Sequence, residues 1–108
     1  MSEVLVKFDE PIMNPRGEMF FAEAVGRMRD SDGLWEGWIR FDGIDDSSRH
    51  ISSERETTQP NRADLEYWAQ GLTVVYLQGA LSRAETSSRS LTERRGERPF
   101  SGFEDIEL

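Results

Sequence analysis

The sequence contains no cysteine, one histidine and one lysine. Without cysteine there is no disulfide, thiol nucleophile or thiolate metal ligand, which fits a reducing compartment. One histidine cannot supply the several imidazole ligands of a typical catalytic zinc site. There is also no apolar run of membrane-spanning length, and the first residues lack the pattern of a signal peptide. We therefore expect a cytoplasmic protein with no cofactor, no bound metal and no membrane contact.

Positive charge is also scarce. The 108 residues hold 13 Lys and Arg against 21 Asp and Glu, a net charge of −8. Such a chain repels phosphate backbones, which makes general nucleic-acid binding unfavourable. The composition changes near residue 85, after which Ser, Thr, Arg and Glu dominate. We predict one compact β-rich domain over residues 1–85 and a flexible polar C-terminal tail over 86–108.

A β-hairpin is the best-defined element. Residues 19–29 and 34–41 alternate between apolar and polar, and Asp32-Gly33 between them is a strong turn signal. Gly26 and Gly37 lack side chains, which indicates a bend or the close approach of another group. The predicted core face consists of Phe20, Ala22, Ala24, Gly26, Met28, Trp35, Gly37, Ile39 and Phe41.

Two registers of this hairpin are compatible with the same division of its side chains between the two faces of the sheet. A two-residue turn at Asp32-Gly33 pairs Arg29 with Glu36. A register shifted by two pairs Arg27 with Glu36 and Glu23 with Arg40. The sequence leaves both open.

One short helix is predicted after Pro60. Asn61 is placed to cap it with Asp64 as capping-box partner, and Gly71 to end it in a left-handed conformation. Its apolar stripe consists of Leu65, Trp68, Ala69 and Leu72.

Strands are predicted on both sides of these elements: residues 3–9, a polar edge strand at 49–58, and a last strand at 72–84. The fold class is therefore mainly β, bordering on α+β. It is a small antiparallel sheet, or an SH3-like barrel of about five strands, with one short helix before the last strand. The two glycine sites and the two-sided apolar pattern of 72–84 favour the barrel.

Two groups of residues are candidates for function. An aromatic and basic patch on the other hairpin face consists of Phe21, Arg27, Arg29, Trp38 and Arg40. A possible polar ligand loop consists of His50, Glu54, Glu56, Gln59, Asn61 and Arg62. Because strand side chains alternate, His50, Glu54 and Glu56 are expected on one face. The Asp30–Gly33 turn resembles the start of a calcium loop, but Phe41 stands where that loop requires Glu.

Four segments of the sequence form a recognisable set: residues 33–38 (GLWEGW), 56–62 (ETTQPNR), 67–69 (YWA) and 72–81. In these segments the sequence resembles a group of small uncharacterised bacterial proteins. The resemblance covers most of the body but not 86–108. It implies a free-standing bacterial domain and no particular activity.

The leading functional hypothesis is a non-enzymatic protein-interaction module that binds a protein partner or self-associates. It depends on the missing catalytic groups, the Trp38 patch and the apolar and acidic segment 103–108 (FEDIEL), which resembles a docking motif. One alternative is a small-ligand binder or enzyme that uses the 50–62 segment. Another is a binder of single-stranded nucleic acid that uses Arg27, Arg29 and Arg40.

Overall fold

The computed structural model describes residues 1–97. Within them six strands precede two helices. They are β1 (Glu3–Lys7), β2 (Ile12–Met13), β3 (Met19–Met28), β4 (Trp35–Gly43), β5 (His50–Ser52), β6 (Thr57–Gln59), α1 (Arg62–Gln70) and α2 (Val74–Glu97).

The six strands form one antiparallel sheet with the long β3–β4 hairpin at its centre. β1 and β2 pair with β3 on one side, and β5 and β6 pair with β4 on the other. The predicted mainly β antiparallel sheet is therefore confirmed. The barrel alternative is wrong, because these two edges do not pair with each other and the sheet stays open.

The hairpin adopts the shifted register, with Arg27 opposite Glu36 and Glu23 opposite Arg40. The two-residue turn is wrong. The amide of Arg29 donates to the carbonyl of Leu34 over 2.7 Å, so the loop holds the four residues 30–33. Gly33, the last residue of this loop, has a positive φ of 74°, a left-handed conformation that glycine adopts without steric cost.

Residues 72–84 are not a strand, since nearly all of them belong to α2. The physical reason is the spacing of Leu77, Ala80, Leu81 and Ala84, which places these side chains on one helical stripe that packs into the core. β-branched Val74 and Val75 suggest a strand, but both are exposed at the start of the helix. α2 also continues beyond residue 85 to Glu97, through part of the predicted tail. Residues 98–108, including the 103–108 segment, lie outside the described residues.

Both helices pack on the predicted core face of the sheet. Gly26 and Gly37 are directly opposite each other, and Leu65 of α1 lies over the pair in full burial. The two glycines therefore allow close approach of a helix, one of the two roles predicted for them. α2 covers the other end of this face, against Phe41 and Ile51.

The start of α1 is as predicted, and its end is not. The side chain of Asn61 accepts a hydrogen bond from the amide of Asp64 over 2.8 Å. Gly71 has φ −90° and ψ 0°, a right-handed conformation in which its amide donates to the carbonyl of Trp68. The left-handed cap is therefore wrong, because the last turn tightens and leads directly towards α2.

Candidate functional site

Neither helix covers the second face of the sheet, which we call the open face. Its side chains form rows that run across the strands, because directly paired residues point to the same side. One row consists of Val4, Val25 and Trp38. Val25 is only 1% exposed although no helix lies above it, because its neighbours in the sheet shield it.

Trp38 is half-buried in this row, and the guanidinium of Arg27 lies 5.8 Å from the centre of its ring. A cation over an indole face is electrostatically favourable and also shields the ring from water. Trp38 is thus part of a surface layer on the sheet and not part of the core beneath the helices.

The charged side chains of the open face are paired. Glu23 lies 2.6 Å from Arg40 and 4.0 Å from Lys7. Glu36 lies within 3.5 Å of Arg27, Arg29 and Arg55. These carboxylates reduce the positive charge that the arginines present to a phosphate backbone, which weakens the nucleic-acid alternative.

The pKa of Glu36 is lowered by this arrangement. Partial burial opposes ionisation, but the hydrogen bonds from Arg29 and Arg27 outweigh it and hold the carboxylate in its charged form. The central part of the open face is therefore a fixed network of charges.

Beyond this network the open face ends in an exposed apolar cluster. Phe21 and Met19 lie on it from β3, and Met13 and Ile44 lie beside Met19. Met13 is 51% exposed, Phe21 46% and Ile44 38%. Of these residues, the sequence analysis placed only Phe21 on this face. Met13 belongs to a two-residue strand that was not predicted, and Ile44 follows the predicted end of its strand.

No protein-family model, curated protein or solved structure matches this chain. The resemblance to small bacterial proteins therefore stays a prediction, and function must be argued from the surfaces themselves. Within the described residues no helix is both long and apolar enough to cross a membrane. In the same part of the chain no three His, Asp or Glu side chains are grouped in a way that could hold a metal ion.

Most of the predicted polar ligand loop is dispersed over the surface. His50 lies on the open face, 2.7 Å from Asp42. Arg62 binds Glu3 through two contacts of 3.0 Å. Asn61 caps α1, as described above, and Gln59 donates to Thr57 over 2.8 Å. These four residues have structural roles at separate places.

His50, Glu54 and Glu56 do not share one face, because the predicted strand 49–58 is interrupted. The hydroxyl of Ser53 accepts from the amide of Ile39 over 3.0 Å and donates to the carbonyl of Glu54. The side chain of Ser53 thus replaces a backbone acceptor where β5 ends, and the chain bulges before β6 begins.

This interruption turns Glu56 towards α2. Its carboxylate accepts from the hydroxyl of Tyr76 over 2.5 Å and from Arg83 over 2.6 Å. Burial raises the pKa of Tyr76, and the nearby charge of Glu56 adds to the effect, so the phenol stays protonated as a donor. Glu56 and Glu54 both line a cavity between this loop and α2.

A second polar cluster, absent from the predictions, joins α2 to the end of the sheet. Buried Asn14 donates to Glu18 over 2.8 Å and to Glu85 over 2.9 Å. Arg49 lies 2.7 Å from Glu18 and 3.5 Å from Glu85. The Asn14-Pro15 turn signal was visible in the sequence, but its partner 71 residues away was not.

Proposed function

We propose that this domain is a non-enzymatic protein-interaction module that binds an acidic protein partner through its open face. The observation that carries the proposal is the exposed apolar cluster of Met13, Phe21 and Ile44 on a sheet face that neither helix covers. Exposed apolar clusters of this kind mark protein-binding surfaces.

The charge of the same face supports an acidic partner. Lys7, Arg27, Arg40 and Arg55 surround the carboxylates of Glu23 and Glu36. Because these basic side chains outnumber the two carboxylates that pair with them, the centre of the open face keeps a small positive excess on a chain whose net charge is −8. A partner with carboxylates around an apolar contact would match both features.

The experiment is capture from a lysate of the source organism with three forms of the full chain. The first is unaltered, and the second carries Phe21→Ser and Ile44→Ser on the open face. The third carries Tyr67→Ser and Val75→Ser, which remove two strongly exposed apolar side chains from the helices. We expect the unaltered chain and the helix variant to retain the same acidic protein, and the open-face variant to lose it.

Other outcomes contradict the proposal. Loss of the captured protein in the helix variant alone would place the binding surface on the helices. Recovery of nuclease-sensitive nucleic acid in place of protein would favour the nucleic-acid alternative, and its capture should fall steeply with salt. Capture of only further copies of this chain would favour self-association.

A further inference from the structure

A cavity of about 460 Å³ lies on the opposite side of the sheet edge from the open face, between the β5–β6 loop and α2. It exists because the edge strand is interrupted at Ser53, so no continuous strand fills the space below the helix. Its volume is within the range of small-molecule sites. Glu54, Glu56, Tyr76, Arg83 and Ser87 line it.

The most informative group in this cavity is the carboxylate of Glu56, whose side chain is only 9% exposed. Tyr76 and Arg83 both donate to the same oxygen, Oε1. Among the described residues none donates to the second oxygen, Oε2, although a buried carboxylate needs several donors. A ligand that brings N–H donors would meet this need.

The charges around the cavity define that ligand further. Glu54 adds a second carboxylate, with its Oε2 3.4 Å from the hydroxyl of Ser87. Arg83 supplies a guanidinium that is more than half exposed and lies 5.7 Å from the centre of the Tyr76 ring. The lining thus carries the carboxylates of Glu54 and Glu56, the guanidinium of Arg83 and the ring of Tyr76. Arg55 lines the cavity too, but its guanidinium pairs with Glu36 on the open face, 3.5 Å away, which leaves Arg83 as the cation beside Glu56.

We infer that this cavity binds a free α-amino acid, with its ammonium group on Glu56 and Glu54 and its carboxylate on Arg83. The two charged ends of an amino acid are separated by one carbon and match acceptors and a cation on one small surface. The ammonium supplies the donors that Oε2 of Glu56 lacks. This site is separate from the open face and does not depend on the function proposed for that face.

The test is calorimetric titration of the full chain with the standard free amino acids, one at a time, up to about 10 mM. We expect saturable binding of at least one of them. Glu56→Gln keeps the acceptor for Tyr76 and Arg83 but removes the charge, and it should weaken binding about tenfold or more. Glu66→Gln, on α1 outside the cavity, should leave the affinity unchanged.

A second variant guards against the chance that Glu56→Gln disturbs folding. Ser87→Trp at the rim should fill the cavity and abolish binding while the thermal unfolding midpoint stays close to that of the unaltered chain. The inference is overturned if no amino acid gives a saturable heat. It is equally overturned if binding persists unchanged in both Glu56→Gln and Ser87→Trp.

Discussion

Gly26 and Gly37 show how far single residues determine the fold. Because neither has a side chain, Leu65 of α1 rests directly on the two strands. A methyl group at Gly37 would lie 2.7 Å from Leu65 Cδ1 and 2.8 Å from Trp68 Cζ3. Leu65 cannot move away towards Gly26, because its other methyl group already fills the space above that residue. The position of the helix is therefore set by what these two residues lack.

We expect Gly37→Ala to lower the free energy of unfolding by about 1–3 kcal/mol, as overpacking of a core does. Urea titration of the full chain measures this. Gly79→Ala in α2 is the matched control, because its new methyl group would meet only Arg83, at 3.4 Å. That control should raise stability by about 0.5–1 kcal/mol, since alanine is the better helix former. Equal effects of both substitutions would contradict the close packing of α1.

At the scale of elements, the sequence correctly predicted the helices and strands that short local patterns determine. The hairpin followed from strict alternation and a turn signal, and α1 followed from a cap and an apolar stripe. α2 was missed because its first residues, Val74 to Tyr76, favour strands. Its apolar side chains form a stripe only when the residues are arranged with the helical period of 3.6, and not with the strand period of two.

The two candidate sites, the open face and the cavity beside α2, differ in how far the sequence predicted them. The positions of Phe21, Trp38 and the three arginines on one face followed from alternation along the strands. The cavity between Glu56 and α2 did not, because it depends on the interruption at Ser53 and on a helix where a strand was expected. Both are tertiary features without a local pattern in the sequence.

The cap of α1 gives a prediction at this scale. Asn61→Ala removes the acceptor for the amide of Asp64 and should lower the free energy of unfolding by about 1 kcal/mol. Asn61→Asp retains an acceptor at this position and should restore most of the loss. Urea titration of both variants measures the difference. If alanine and aspartate were equivalent, α1 would owe its stability to Leu65 and its packing alone.

At the scale of the whole molecule, stability depends on an apolar layer between sheet and helices and on ion pairs around it. The apolar layer includes both α1 and α2. The ion pairs connect parts that are distant in sequence, such as Arg62 with Glu3 and Arg49 with Glu18. Each exposed pair contributes little by itself, so their joint effect is best seen when many carboxylates are protonated together.

Acid titration should show this joint effect. The hydrogen bond from Arg62 lowers the pKa of Glu3, and that from Arg16 lowers the pKa of Glu18. The pKa values of Asp32, Glu36 and Asp46 are lowered too. Carboxyls that are more acidic in the folded state stabilise it above their unfolded pKa values of 4.5 and 3.8, and this stabilisation is lost as the pH falls through the folded values.

We therefore expect the free energy of unfolding, measured by urea titration, to stay nearly constant from pH 7 to about pH 5 and to fall steadily below pH 4.5. Glu36→Gln should make this fall smaller, because it removes the carboxylate that joins Arg27, Arg29 and Arg55. About 1 M salt should also reduce it, since exposed ion pairs are screened. A loss of stability that begins near pH 6 would contradict the prediction, because it lies above the range in which these carboxyls take up protons. An unchanged acid profile in Glu36→Gln would show that the network on the open face does not contribute to folding.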